Sequence, residues 1–96
     1  MSDQEVKAKF NPGEIVMTRG IQAILPKIDL IPLLRRHVSG DWGDCGEEDA
    51  AANDEALTTG TRLLSVYKTA ASPEGKIWVI TEADRSATTF LLPSEY

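Results

Sequence analysis

His37, Glu82 and Arg85 are the residues of this 96-residue chain whose types could combine into a catalytic set. An imidazole and a carboxylate can share the base and acid roles, and a guanidinium can stabilise a charged phosphate transition state. Together they describe a metal-independent nuclease of the toxin type. The set requires the end of a helix to meet a turn between strands. Nucleophilic catalysis has less to build on. Ser65, Ser86 and Cys45 could each take His37 as base, but none lies in the glycine-flanked elbow that exposes a catalytic serine, and the acids beside Cys45 keep its thiol protonated. His37, Asp41, Asp44, Cys45 and Glu48 bring five possible metal ligands within twelve residues. Their spacing matches neither the close ligand pairs of zinc sites nor the alternating acids of a calcium loop, so the sequence assigns no metal and no cofactor.

Binding chemistry concentrates in two polar islands, Gly40-Asp41-Trp42-Gly43-Asp44 and Thr81-Glu82-Ala83-Asp84-Arg85-Ser86. Trp42, between two glycines and two carboxylates, either plugs the core or stands out as an interface anchor. Asp41 and Asp44, extended by Glu47-Glu48-Asp49, Asp54 and Glu55, would suit a basic partner. Asp84, Arg85 and Ser86 make either a second binding patch or a hairpin turn closed by its own hydrogen bonds. Arg35-Arg36-His37 reads as a local basic patch or as the cationic last turn of a helix.

The elements that must position these residues follow from turn signals and periodicity. Residues 1–12 form a polar arm ending in Asn11-Pro12-Gly13, and residues 13–96 form one domain. Glu14-Ile15-Val16-Met17 is a short extended run. Thr18 can cap a brief helix carrying Ile21, Ile24 and Leu25, stopped by Pro26. Asp29 can cap a second, with Leu30, Leu33, Leu34 and Val38 at helical spacing and Pro32 in its first turn. Asp44 and Glu47 have the spacing of a capping box for a third helix to Thr58, rich in alanine and acids and stopped by Gly60. Beyond Gly60 the period becomes two. Thr61–Thr69, Lys76–Thr81 and Thr88–Leu92 alternate as strands joined by turns, apolar on both faces. The expected fold is α+β, with short N-terminal helices packed on a three-stranded antiparallel β-meander. The helices cover one face, and the tail or a partner covers the other.

Composition bounds the function classes. A net charge of −5 argues against broad, non-specific binding to nucleic acid. One cysteine excludes an internal disulfide framework and fits a reducing compartment. No apolar stretch is long enough for a membrane helix, and the first residues lack a secretory pattern, so the expectation is a soluble, cytoplasmic protein.

The blocks His37-Val38-Ser39-Gly40-Asp41-Trp42-Gly43-Asp44, Asn53-Asp54-Glu55-Ala56-Leu57, Ile77 to Ser86 and Leu91-Leu92-Pro93-Ser94-Glu95-Tyr96 resemble a group of small bacterial proteins. These are carried on plasmids and integrative elements and usually called plasmid-related. The resemblance runs from about Thr18 onward. It implies an accessory gene of a mobile element and carries no catalytic residues with it. The leading expectation is therefore a small non-enzymatic protein that binds a host or element protein through an acidic, Trp42-containing surface. Asp41, Trp42, Asp44, Asp84, Arg85 and Ser86 are its candidate binding residues. The nuclease built on His37, Glu82 and Arg85 is the alternative.

Overall fold

The computed structural model describes residues 8–96. The expected arm, residues 1–12, therefore lies partly outside the described residues. Within it, the Lys9 N–H donates to the Val38 carbonyl at 2.7 Å, and the Phe10 ring meets the His37 ring edge-on.

In chain order the elements are strand β1 (Glu14–Met17), helix α1 (Arg19–Ile24) running into a 3₁₀ turn (Leu25–Lys27), helix α2 (Ile31–Val38) and helix α3 (Glu47–Thr59). Strands β2 (Leu63–Lys68), β3 (Lys76–Thr81) and β4 (Ala87–Leu91) follow, and a 3₁₀ turn (Pro93–Glu95) closes the series. The sheet order is β1-β4-β3-β2, with β1 parallel to β4 and the other pairs antiparallel. The fold is α+β, but the sheet is four-stranded and mixed, which corrects the expected three-stranded antiparallel meander. Glu14–Met17 is too short for its alternation to reveal a strand. Its pairing is also non-local, because parallel strands need a long crossover, which the three helices and two other strands supply.

Alternation explains which side chains go inward. Registers Leu63↔Thr81, Ser65↔Val79, Tyr67↔Ile77, Val79↔Phe90 and Thr81↔Thr88 put these residues on one face, where all are buried. Ile21 and Ile24 of α1 pack on it, with Leu33 and Leu34 of α2. Leu64, Val66, Trp78, Ile80 and Leu91 point to the other face. There the segment after β4 returns, laying the Tyr96 ring 5.7 Å from the Trp78 ring. That contact gives this face part of its cover.

The helix starts are capped differently from the sequence expectation. The N-cap of α3 is Gly46, without a side-chain cap, and the Asp44–Glu47 capping box does not form. Asp44 is instead drawn to the sheet, where its N–H donates to the Val66 carbonyl at 2.6 Å. At α1 the Thr18 hydroxyl turns away from its own helix and donates to Glu95, whose carboxylate also accepts the Gly20 N–H at 2.9 Å. A carboxylate 75 residues away thus takes the place of a local cap. Asp29 accepts the Ile31 N–H at 3.0 Å from just outside α2.

Candidate functional site: an acidic helix hooked to the sheet

Seven of the fifteen carboxylates lie between Asp41 and Glu55, and no lysine or arginine falls among residues 41–60. Asp44, Glu47, Glu48, Asp49, Asp54 and Glu55 are all exposed. Asp41 alone is neutralised. Its carboxylate accepts from Arg36 Nε at 2.7 Å, the one ion pair among the described residues, and that bond holds its carboxyl below the usual range. The Arg36 guanidinium also lies 4.5 Å over the Tyr67 ring. The Tyr67 hydroxyl donates to the Asp41 carbonyl at 2.7 Å, and burial pushes its pKa up to about 12.

Helix α3 displays these acids although it has little apolar surface of its own. Ala56 is buried and Leu57 is its only large apolar residue, so polar hooks hold it to the sheet. Trp42 is 5% exposed and packs with Ala56 and Leu63, while its indole N–H donates to Asp54 at 2.9 Å. Asn53 is buried and mimics a strand. Its amide N–H donates to the Leu64 carbonyl at 2.6 Å, and its oxygen accepts the Leu64 N–H at 3.0 Å. Arg85 forms the third hook, donating to the Ala56 carbonyl at 3.0 Å and to the Thr61 carbonyl at 2.7 Å.

The two polar islands thus converge on α3, one through Trp42 and the other through Arg85. Trp42 is an internal wedge, which rules out the exposed-anchor reading of its indole. Arg85 is the one non-glycine residue with positive φ among the described residues, at 62°. Most side chains resist that conformation, and the turn accommodates it while the guanidinium ties α3 to two chain segments. Asp84 and Ser86 are exposed on the same turn. Hydrogen bonds from Ser86 hold the Asp84 carboxyl below its ordinary value. Gly43, also in the first island, has φ 75° and bridges to Val66, where an added Cβ would collide with the Val66 carbonyl oxygen.

His37 is fully buried, so the basic patch read at Arg35-Arg36-His37 keeps only its two arginines at the surface. Nδ1 lies 2.6 Å from the Ser65 hydroxyl and Nε2 lies 2.8 Å from the Thr81 hydroxyl. Thr81 meets Thr88 at 2.6 Å, and Thr88 donates to the Pro12 carbonyl at 2.7 Å. A carbonyl only accepts, which orients the whole chain of bonds. Thr88 spends its proton on Pro12, Thr81 donates to Thr88, His37 donates from Nε2 to Thr81, and Ser65 donates to Nδ1. The ring is neutral and protonated at Nε2. Burial, reinforced by the Arg85 charge, pulls its pKa down to about 4.

Glu82 is exposed on the β3–β4 turn. The Arg85 guanidinium donates to the Glu82 backbone carbonyl at 3.1 Å. Among the described residues, however, the Glu82 carboxylate makes no ion pair, no hydrogen bond links His37 to either residue, and no three His, Cys, Asp or Glu side chains gather to hold a metal ion. Burial, reinforced by Asp49, pushes the Cys45 thiol up. No helix among the described residues is long and apolar enough to cross a membrane.

Sequence reasoning missed Asn53 and Phe10. Asparagine is a poor helix-interior residue, so Asn53 amid alanines was a usable signal. Phe10, which the Arg85 guanidinium approaches at 5.7 Å, had none. Comparison with protein-family models, curated proteins and solved structures gives no match.

Proposed function

We propose that this protein is a small non-enzymatic binding protein whose acidic loop and helix α3 engage a basic surface on a host or mobile-element protein in the bacterial cytoplasm. The observation that carries the reading is the set of six exposed carboxylates, Asp44, Glu47, Glu48, Asp49, Asp54 and Glu55, on a segment without a compensating cation. Such a field steers association with basic partners and competes with nucleic acid for them. Trp42 takes part by holding the acids in place, so its contribution is positional. The setting in a mobile element rests on the resemblance of the sequence blocks alone.

The test is capture of partners from a bacterial lysate by the immobilised protein, compared with a triple variant Glu47→Lys, Glu48→Lys, Glu55→Lys. A specific partner with a basic surface, displaced by DNA and lost with the variant, is the expected result. A partner that binds both forms equally in low and high salt would sink the proposal.

A further inference from the structure

The two edges of the sheet are finished differently. Along β2, Asn53 occupies the N–H and C=O of Leu64, the Val66 N–H donates to the Trp42 carbonyl at 3.0 Å, and the Val66 carbonyl accepts from Asp44. That edge is closed. On β1 the Glu14 N–H donates to Ser86 at 3.0 Å and the Thr18 N–H donates to Phe90 at 3.1 Å, so the even-numbered residues bond inward to β4. Alternation then turns the peptide groups of Ile15 and Met17 outward. Among the described residues, Gln22 Nε2 reaches the Met17 carbonyl at 3.1 Å, and that oxygen keeps a second lone pair. Glu14–Met17 has no proline and no lysine, and its protection is limited to its four-residue length and the single charge of Glu14 at one end.

Apolar side chains gather at the same edge. Ile15, Val16, Leu25 and Ile31 are four of the five large hydrophobics exposed among the described residues. Beside them runs an apolar groove of about 400 Å³ between β1 and α2, lined by Ile15, Met17, Leu25, Ile31, Leu34 and Phe90, among others.

We infer that β1 is the interface of a two-fold homodimer, in which the β1 strands of two copies pair antiparallel and join their sheets into one of eight strands. Three features select a second copy as the occupant. The register that places Ile15 opposite Met17 of the other copy exchanges the outward peptide groups of both, keeps apolar neighbours together on each face, and sets Val16 beside its own mate on the axis. Antiparallel pairing also brings the Glu14 end of each strand to the Arg19 end of the other. Finally, residues 14–31 carry Glu14 and Asp29 against Arg19 and Lys27, a neutral patch in an acidic chain. Helix α3 lies over the β2 side of the sheet, with β3 and β4 between it and β1. At about 4.8 Å per strand the two acidic helices of a dimer stand roughly 30 Å apart, several times the Debye length at physiological salt, so they do not oppose association.

Sedimentation equilibrium tests the interface. The expected wild-type species has twice the 10.5 kDa chain mass. Val16→Lys puts two like charges side by side on the axis, and Ile31→Lys places a charge on a side chain 55% exposed in the single chain. Each is expected to weaken association by about a hundredfold, while Glu55→Lys leaves it unchanged. Hydrogen exchange provides a second readout, with the Ile15 and Met17 amides protected at dimer concentrations and released on dilution. Should Val16→Lys lose its folded circular-dichroism signal, Ile31→Lys and the exchange data decide. A chain that stays monomeric to about 1 mM, or a dimer indifferent to folded Val16→Lys or to Ile31→Lys, overturns the interface.

Discussion

His37 joins α2 to β2 and β3 as a neutral ring, because a second ring proton would place an unpaired charge in a buried site already facing the Arg85 charge. Its folded pKa lies near 4, below the ordinary value of 6.5, so between these values the unfolded chain binds the proton and the folded chain does not. The stabilisation is fully present above pH 6.5, is lost as the pH falls toward 4, and changes no further below that. The loss is on the order of 3 kcal/mol. Urea unfolding midpoints from pH 7 to 4, compared with His37→Gln, isolate it, since glutamine offers one donor and one acceptor but does not titrate. Equal pH slopes in the two proteins would refute this account. The sequence could not show the role of His37. Its position in the last turn of a helix is local and readable, but its partners lie 28 and 44 residues away.

Helix α3 shows what hydrogen bonds do when apolar area is scarce. A helix of thirteen residues is marginal alone, and this one adds crowded like charges. Trp42→Ala is expected to cost about 3–5 kcal/mol through its cavity and the lost bond to Asp54. Asn53→Ala should cost about 1–3 kcal/mol by stranding both peptide groups of Leu64. In either variant the amides of residues 50–59 should exchange faster than those of β3, and uniform exchange across the molecule would show that α3 is not held separately. The stop at Gly60, with φ 79°, and the alternation of β2 to β4 were legible because they depend on neighbours. The hooks were not, since an asparagine or an arginine becomes one only once a distant carbonyl is placed before it. For the same reason the acids were visible as charge, while the element that displays them could be mistaken for a loosely attached one.

Glu95 works at the scale of the whole molecule, tying the segment after β4 to the start of α1 through Thr18 and Gly20. The Thr18 hydroxyl, helped by the Leu92 and Gly20 N–H groups, holds its carboxyl below the ordinary value, so it contributes stability at neutral pH that is lost as the pH falls through the folded pKa. Glu95→Ala should lower Tm at pH 7, with the gap to wild type closing in acid. A gap that persists unchanged in acid would assign the effect to packing. The topology also bears on how the chain is made. Among the described residues the one sheet partner of β1 is β4, and the roughly 70 residues between them take about 4–15 s to synthesise at cellular rates, longer than many small mixed domains need to fold. Ile15, Val16 and Met17 leave the ribosome as an orphan strand and stay one until the hairpins of β2, β3 and β4 have been translated. Synthesis and docking are therefore separated in time for this strand, and the nascent chain is most exposed to misassociation at β1, which is made roughly 70 residues before the strand it docks on.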